Sequence, residues 1–136
     1  MVVVCSDLDG VIVKYKPRNF TLTKKFFSSL PPSPFMNAIK IIKERADRFI
    51  ILTGRKERFA DVTHEWLARY GWNDCEIYFM PEHIPKHFLN FVEYKSAMLN
   101  EIKPDFYIDD DIKVLHALAK RTKDIVLVNL REVVVP

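Results

Sequence analysis

The chain has 136 residues, of which 49% are hydrophobic, a size that suits one hydrophobic core, and we expect a single domain over residues 1–136. Its net charge is +3, with acidic and basic residues mixed, which is too mild to indicate nucleic-acid binding by itself. No apolar run is long enough to span a membrane, and no basic segment precedes a long apolar stretch at the N-terminus, so we expect neither a membrane segment nor a signal peptide.

The first part of the chain alternates between strand and helix patterns. Residues 1–5 are a continuous apolar run, which is typical of a strand buried on both faces. We expect a short hairpin over residues 12–22, followed by a proline-rich loop. Apolar residues at helical spacing then predict a helix over residues 35–46. A second strand is predicted over residues 48–53, with Gly54 ending it.

The rest of the chain continues this alternation. In order, the pattern predicts a helix over 57–71, a strand over 75–80, a helix over 94–103, a strand over 105–109, a helix over 113–122 and a strand over 125–130. Residues 82–91 stay unassigned because Pro85 interrupts them, and residues 131–136 fit either a strand or a tail. The alternation predicts a Rossmann-like α/β fold, with a mainly parallel sheet of about five strands and helices on both faces.

Acidic and hydroxyl side chains follow three of these strands. Asp7 and Asp9 come after the first strand, Thr53 ends the second, and the run Asp109-Asp110-Asp111 closes the fourth. Any one of them could simply cap the next helix. Because ligands of open α/β sheets bind beyond the carboxyl ends of the strands, their coincidence at one edge predicts a binding site.

Carboxylates gathered at one edge repel each other and need a cation. An all-oxygen ligand set of this kind suits Mg²⁺, which proteins hold with one or two carboxylates, water and phosphate oxygens. The Thr53 hydroxyl and nearby backbone N–H groups could then meet the remaining phosphate oxygens. Lys95, expected at the start of its helix, is the candidate cation, with a solvent-exposed helix lysine as the alternative reading.

These motifs resemble those of the haloacid dehalogenase (HAD) superfamily. Asp7-Leu8-Asp9-Gly10-Val11 matches its DxDx(T/V) signature, and "FIILTGR", ending at Arg55, is similar to its second motif. Lys95 resembles the third motif, and "FYIDDD", ending at Asp111, the fourth. The resemblance spans roughly residues 1–130. Response-regulator receiver domains use similar residues, but their acceptor aspartate precedes the threonine and lysine, so the order of motifs disfavours that family.

The resemblance implies Mg²⁺-dependent hydrolysis of a phosphomonoester through an aspartyl-phosphate. Asp7 would be the nucleophile and Asp9 the general acid and base. Thr53, Gly54, Arg55 and Lys95 would hold the phosphoryl group, and the metal ligands would be Asp7, Asp9 through its main-chain carbonyl, Asp109 and Asp110. A phosphotransferase of the same fold and a non-catalytic binding or regulatory module remain alternatives.

The intervals between the motifs leave no room for a cap domain, so the chain resembles a capless HAD phosphatase with an open site. Basic residues lie in two groups that could border this site, Lys14, Lys16, Arg18, Lys24 and Lys25 in one and Arg55, Lys56 and Arg58 in the other. Tyr15 and Phe20 could stack on bases. The chain resembles polynucleotide 3′-phosphatase domains and small 5′(3′)-deoxyribonucleotidases, which makes a nucleotide or a nucleic-acid end the candidate substrate. A solvated basic surface is the alternative.

The two cysteines, Cys5 and Cys75, are far apart in the sequence and form no CxxC motif. They are expected to be free thiols, although the sequence alone leaves a disulfide between them open. We therefore expect a cytoplasmic protein.

Overall fold

A computed structural model describes residues 1–15 and 22–132. The strands are β1 (Val3–Ser6), β2 (Arg48–Lys56), β3 (Glu76–Met80), β4 (Phe106–Asp109) and β5 (Val126–Asn129). The helices are α1 (Lys24–Ser29), α2 (Met36–Arg45), α3 (Ala60–Arg69), α4 (Phe88–Ile102) and α5 (Ile112–Ala119), with 3₁₀ turns at Glu57–Phe59 and Leu130–Glu132.

The five strands form one parallel sheet in the order β3-β2-β1-β4-β5. β1 lies at its centre, with β2 on one side and β4 on the other. This arrangement confirms the predicted Rossmann-like α/β fold. Within the described residues, the segments between the strands hold the helices and loops but no separate cap domain.

Hydrophobic side chains bury both faces of the sheet. On one face, Ile39 of α2 and Trp66 of α3 pack in one cluster with Ile51 of β2. On the other face, helices α4 and α5 pack against a second cluster that includes Cys5 of β1 and Tyr107 of β4. Because successive strand residues point to opposite faces, the helices α4 and α5 cover the face from which Cys5 and Tyr107 project.

Two predicted boundaries are wrong. Gly54 does not end the second strand, because β2 continues to Lys56, which still pairs with Met80 of β3. The helix expected from residue 94 begins earlier, at Phe88, where the His87 side chain accepts a hydrogen bond from the Leu89 N–H. Lys95 therefore lies in the middle of α4 and not at its start.

Three further differences concern short segments. Helix α1 was not predicted, and Thr23 caps it by accepting the Phe26 N–H at 3.1 Å. Of the hairpin expected over residues 12–22, residues 16–21 lie outside the described part, and Val13 makes isolated bridges with Asp9 and Pro32. In the tail, Leu130–Glu132 forms a 3₁₀ turn and residues 133–136 lie outside the described part.

The topology explains how the predicted site residues meet. β1, β2 and β4 are neighbours and run in the same direction. Their carboxyl ends therefore lie side by side, and they carry Asp7, Thr53 and Asp109 to one edge of the sheet.

Candidate functional site

Three carboxylates form the centre of this edge. Asp7, Asp109 and Asp110 each offer an oxygen atom, and these atoms lie within 4.8 Å of one another. The Asp7 N–H donates to the Ile108 carbonyl at 2.9 Å, which extends the pairing of β1 and β4 by one residue and fixes the backbone on which Asp7 sits. Asp7 and Asp109 are buried. A group of three oxygen ligands in this arrangement could hold a divalent cation.

Lys95 reaches this cluster from α4. Its ammonium donates to Asp7 Oδ1 at 2.9 Å and lies 3.4 Å from Asp109 Oδ2. The side chain is completely buried, and the Phe91 ring lies beneath it, with its centroid 4.7 Å from Nζ. A buried lysine next to two carboxylates is strongly held in its charged form. The structure thus brings together the predicted lysine and the predicted acids.

Tyr107 also belongs to this cluster, although it was not among the predicted site residues. Its hydroxyl accepts a hydrogen bond from Lys95 at 2.5 Å and donates to Asp109 Oδ2 at 2.6 Å. The tyrosine therefore connects the lysine to the aspartate. A signal was available, because residues two apart in a strand share a face, so Tyr107 had to project on the same side as Asp109.

Burial changes the proton affinity of the groups in this cluster. Burial raises the pKa of the Asp7 carboxyl, and the neighbouring Asp109 adds to the effect while Lys95 opposes it. Burial alone would lower the pKa of Lys95, but Asp7 and Asp109 outweigh it and the pKa of Lys95 is raised. Burial also raises the pKa of Tyr107, so its hydroxyl stays protonated and able to donate. Asp7 and Asp109 thus share one buried cation, Lys95.

Asp9 lies apart from this cluster and is paired with Arg55. The guanidinium donates from Nε to Oδ2 at 2.9 Å and from Nη2 to Oδ1 at 2.7 Å. Such a two-pronged pair fixes both the position and the plane of a carboxylate. Arg55 was predicted to bind phosphate, and in the structure its guanidinium contacts Asp9.

Arg55 is itself held by its surroundings. It is buried, and its Nη1 donates to the Thr63 hydroxyl of α3 at 3.0 Å. The Phe27 ring of α1 lies against the guanidinium, at 4.1 Å from its central carbon to the ring centroid. Helices α1 and α3 therefore position the cation that holds Asp9.

Thr53 and Gly54 take different places at the end of β2. Thr53 is buried, and its hydroxyl accepts the Arg55 N–H at 3.1 Å. Gly54 lines the open cleft, and the Phe91 ring packs so closely over it that a side chain at this position would overlap the ring. The glycine is thus required by the close approach of α4 and not by a turn.

Gly10 forms part of the turn that follows Asp9. Its φ of +89° lies in the left-handed region, which glycine adopts without strain. A side chain here would also overlap the Asp110 carboxylate. The glycine of the DxDG sequence therefore lets Asp110 approach the loop that carries Asp7 and Asp9.

Asp111, the third residue of the acidic run, has a structural role. Its Oδ1 accepts the Lys113 N–H at 2.9 Å and the Val114 N–H at 3.4 Å, which caps α5. The neighbouring Asp110 is half-buried and lies 3.5 Å from the exposed Arg131 guanidinium. Of the three consecutive aspartates, Asp109 and Asp110 face the cluster and Asp111 caps the helix.

A cleft of about 840 Å³ opens over the carboxylates. Asp7, Asp9, Asp109 and Asp110 line its floor, together with Gly54 and Arg55. Tyr15 also lines the cleft, as the base-stacking hypothesis requires, whereas Phe20, Lys16 and Arg18 lie outside the described residues. Lys14, Lys24 and Lys25 are exposed and do not line the cleft.

Comparisons with known proteins identify a shared fold. No protein-family model matches the chain, and no curated protein matches it. A chain from the structure of the Pnkp1/Rnl/Hen1 RNA repair complex is 19% identical, with a TM-score of 0.69, and the match covers 95% of this chain and 42% of that one. A chain from another structure of the Pnkp1/Rnl/Hen1 complex is 23% identical, with a TM-score of 0.68, and the match covers 95% and 45%. The chain thus spans less than half the length of the two chains it matches.

No helix within residues 1–15 and 22–132 combines the length and the apolar character of a membrane-spanning segment.

Proposed function

We propose that this chain is a capless phosphatase of the HAD superfamily, which hydrolyses a phosphomonoester with Mg²⁺ through an aspartyl-phosphate. The observation that carries the proposal is the cluster at the sheet edge. Asp7 lies within 4.8 Å of the ligand oxygens of Asp109 and Asp110, and Lys95 contacts Asp7 at 2.9 Å. The proposed nucleophile and metal site thereby line one cleft, and the cation proposed for phosphate is buried directly against the nucleophile.

The carboxylates fit Mg²⁺ by their chemistry. All three offer oxygen, the donor that Mg²⁺ prefers, and one buried ammonium leaves their charge incompletely balanced. Asp7, Asp109 and Asp110 would hold the ion, and the Asp9 main-chain carbonyl is a further proposed ligand. When bound, the ion would supply charge neutralisation at the phosphoryl oxygens.

The reaction then follows from the chain's own residues. A carboxylate oxygen of Asp7 attacks phosphorus, an acyl phosphate bond forms, and the bond from phosphorus to the leaving oxygen breaks. Lys95, Thr53 and Gly54 are the proposed ligands of the phosphoryl oxygens; Gly54 lines the cleft, while Lys95 and Thr53 are buried next to the cleft residues Asp7 and Gly54. Water next attacks phosphorus, its proton passes to Asp9, and inorganic phosphate and free Asp7 are released.

Asp9 requires both protonation states in this scheme. Facing Arg55 as a carboxylate, it has the form that accepts a proton from water. To protonate the leaving oxygen in the first step, it has to carry the proton taken from water in the preceding turnover and to exchange part of its contact with Arg55 for the leaving group. Arg55 therefore acts as the residue that positions Asp9 between the two steps.

The structural neighbours favour a nucleic-acid end as the substrate. Both come from RNA repair assemblies, which points towards processing of RNA or DNA ends. The cleft is open and lined by aromatic and basic side chains, which suits a terminal phosphate attached to a longer strand.

The test is release of inorganic phosphate from p-nitrophenyl phosphate, nucleoside monophosphates and phosphate-terminated oligonucleotides. We expect Mg²⁺-dependent turnover that EDTA abolishes. Asp7→Asn removes the nucleophile while keeping the shape of the side chain, and should lower kcat by a factor of about 10⁴ or more. Unchanged turnover in Asp7→Asn would contradict the proposal.

The same assay separates the alternatives. A phosphotransferase would form a phosphorylated product when an acceptor alcohol is added, at the expense of inorganic phosphate. A non-catalytic module would bind a phosphorylated ligand without releasing phosphate from any substrate. Asp111→Asn is the matched control, because Asp111 caps α5 and should leave turnover within a few-fold of the original value.

A further inference from the structure

The wall of the cleft formed by α4 and α5 has an unusual composition. Each of these neighbouring helices begins with a large apolar residue that lines the cleft, Phe88 in α4 and Ile112 in α5. These side chains are 48% and 44% exposed. Single exposed apolar residues are common on protein surfaces, and these two are distinguished by lining the cleft beside its carboxylates.

A lysine accompanies each of the two apolar residues. Lys86 lies two positions before Phe88, Lys113 directly follows Ile112, and both line the cleft. In the part of the chain that the structure describes, neither lysine has an ion-pair partner. We call these four residues, Lys86, Phe88, Ile112 and Lys113, the α4/α5 shelf. It offers two apolar surfaces, each with a free cation beside it.

We propose that the α4/α5 shelf binds the nucleotides next to the reactive phosphate of a single-stranded nucleic acid. A nucleotide combines a flat apolar base with a phosphodiester anion. The shelf offers the complementary pair, an apolar side chain and a lysine, at two places. Base stacking on Phe88 would supply most of the affinity, and Lys86 and Lys113 would contact phosphodiesters. The role of the shelf in turnover rests on the proposed function, since the terminal phosphate has to lie at Asp7.

The charges near Lys86 support an anionic ligand. Burial lowers the pKa of Lys86, and the nearby cations Lys56, Arg55 and Arg58 lower it further while Asp9 opposes them. Cations crowded in this way repel one another. Arg55 is paired with Asp9 and Arg58 with Glu82, whereas Lys86 has no carboxylate partner among the described residues, so a phosphodiester beside Lys86 would supply the missing negative charge.

A strand fits these features better than a mononucleotide. A mononucleotide whose phosphate lies at Asp7 has no second phosphate for the shelf lysines. The cleft of about 840 Å³ is near the upper end of the volumes that single small ligands occupy, about 300 to 1,000 Å³, and it is open to solvent. A chain of nucleotides can cross it and leave at either end.

Binding is tested without catalysis, by fluorescence anisotropy of a labelled oligothymidylate that ends in a 3′-hydroxyl, in EDTA. Phe88→Ala should weaken binding about tenfold, and Phe88→Trp should retain it because the stacking surface remains. Lys86→Ala and Lys113→Ala should each reduce the slope of log Kd against log salt by about 0.7.

The shelf also provides matched controls. Leu89 is 51% exposed and directly follows Phe88, but it does not line the cleft. Lys120 is exposed at the end of α5, away from the cleft. Leu89→Ala and Lys120→Ala should bind the oligothymidylate with the original affinity. If Leu89→Ala weakens binding as much as Phe88→Ala, the proposal is overturned. Thermal melting of every variant separates loss of binding from loss of fold.

The outcomes separate this proposal from the proposed function. Turnover of p-nitrophenyl phosphate without any binding of the oligothymidylate overturns the shelf and leaves the phosphatase standing. Binding with the expected pattern of variants, but no turnover of any phosphomonoester, supports the shelf and contradicts the phosphatase. Shelf variants that weaken binding of a phosphoserine peptide but not of the oligothymidylate overturn the nucleic-acid assignment.

Discussion

A chain of hydrogen bonds links three residues of the cluster, from the Lys95 ammonium to the Tyr107 hydroxyl at 2.5 Å and from that hydroxyl to Asp109 Oδ2 at 2.6 Å. Asp109 Oδ1 accepts the Asp111 N–H at 3.1 Å. The aspartate is thus held at both oxygens. Tyr107 touches no proposed substrate atom, so its role is to position the lysine and the metal ligand.

Tyr107→Phe removes one hydroxyl and keeps the ring that packs in the core. A hydrogen bond to a charged group contributes about 1.5 to 3 kcal/mol, so we expect apparent Mg²⁺ affinity to fall roughly tenfold or more, with a lower kcat. Isothermal titration with Mg²⁺ measures the affinity without turnover. Tyr94→Phe is the control, because among the described residues the buried Tyr94 hydroxyl has no partner. Equal losses of Mg²⁺ affinity in the two variants would contradict the positioning role.

Which site residues could be predicted to meet depends on whether their meeting follows from the order of the strands. Asp7, Asp109 and Asp110 were predicted to meet because each follows a strand, and the order of parallel strands brings such residues to one edge. The pairing of Arg55 with Asp9 joins residues 46 positions apart and needs β2 to continue beyond Gly54. No local pattern encodes that contact, so only the structure reveals it.

At the scale of elements, the extension of β2 to Lys56 determines the shape of the cleft. A glycine usually weakens a strand, and for this reason Gly54 is predicted to end the second strand. In the structure, α4 lies so close to this point that the Phe91 ring occupies the space of a side chain. The same ring lies beneath Lys95 at 4.7 Å. Packing between β2 and α4 thus fixes the position of the Phe91 ring, on which the Lys95 ammonium rests.

Gly54→Ala should therefore displace Phe91 and, with it, Lys95. Overpacking of this kind costs about 1 to 3 kcal/mol in the free energy of unfolding, and we expect kcat to fall as well. The double variant Gly54→Ala/Phe91→Leu gives the alanine methyl group more space and should recover part of both losses. Chemical denaturation and steady-state kinetics of the single and double variants measure this coupling. Additive losses in the double variant would mean that the two residues do not act through this contact.

The other elements could be predicted where their buried residues recur at a regular spacing over a long enough segment. The strands are recognisable as apolar runs, and α2 as an amphipathic segment over ten residues. Helix α1 has only six residues, which is too short for a clear period. Helix α4 begins after Pro85, and its first residues, Phe88 and Leu89, face outwards, so the pattern of buried positions starts later than the helix itself.

At the scale of the whole molecule, the fold gathers like charges at the carboxyl edge of its sheet, and this costs stability when no metal is bound. Burial raises the pKa of Asp110, and Asp109 raises it further, while the exposed Arg131 opposes them. A carboxyl whose pKa is raised by folding stabilises the folded state when protonated. That contribution is complete below the ordinary value of 3.8 and is lost as the pH rises through the folded-state pKa.

Asp110→Asn should therefore raise the melting temperature of the metal-free protein at neutral pH, and the gain should shrink towards acidic pH. The lost contact with the exposed Arg131 is worth little.

Mg²⁺ should raise the melting temperature of the wild type more than that of Asp110→Asn. At a concentration of about 100 Kd it stabilises the wild type by about 2.7 kcal/mol, roughly 10 °C for a chain of this size, and it should stabilise Asp110→Asn far less. Asp124→Asn, at an exposed carboxyl outside the cleft, should leave both responses unchanged. Differential scanning fluorimetry in EDTA and in Mg²⁺, across a series of pH values, measures both effects. An Asp110→Asn protein that is no more stable in EDTA, but responds to Mg²⁺ like the wild type, would mean that Asp110 is neither a strained carboxylate nor a metal ligand.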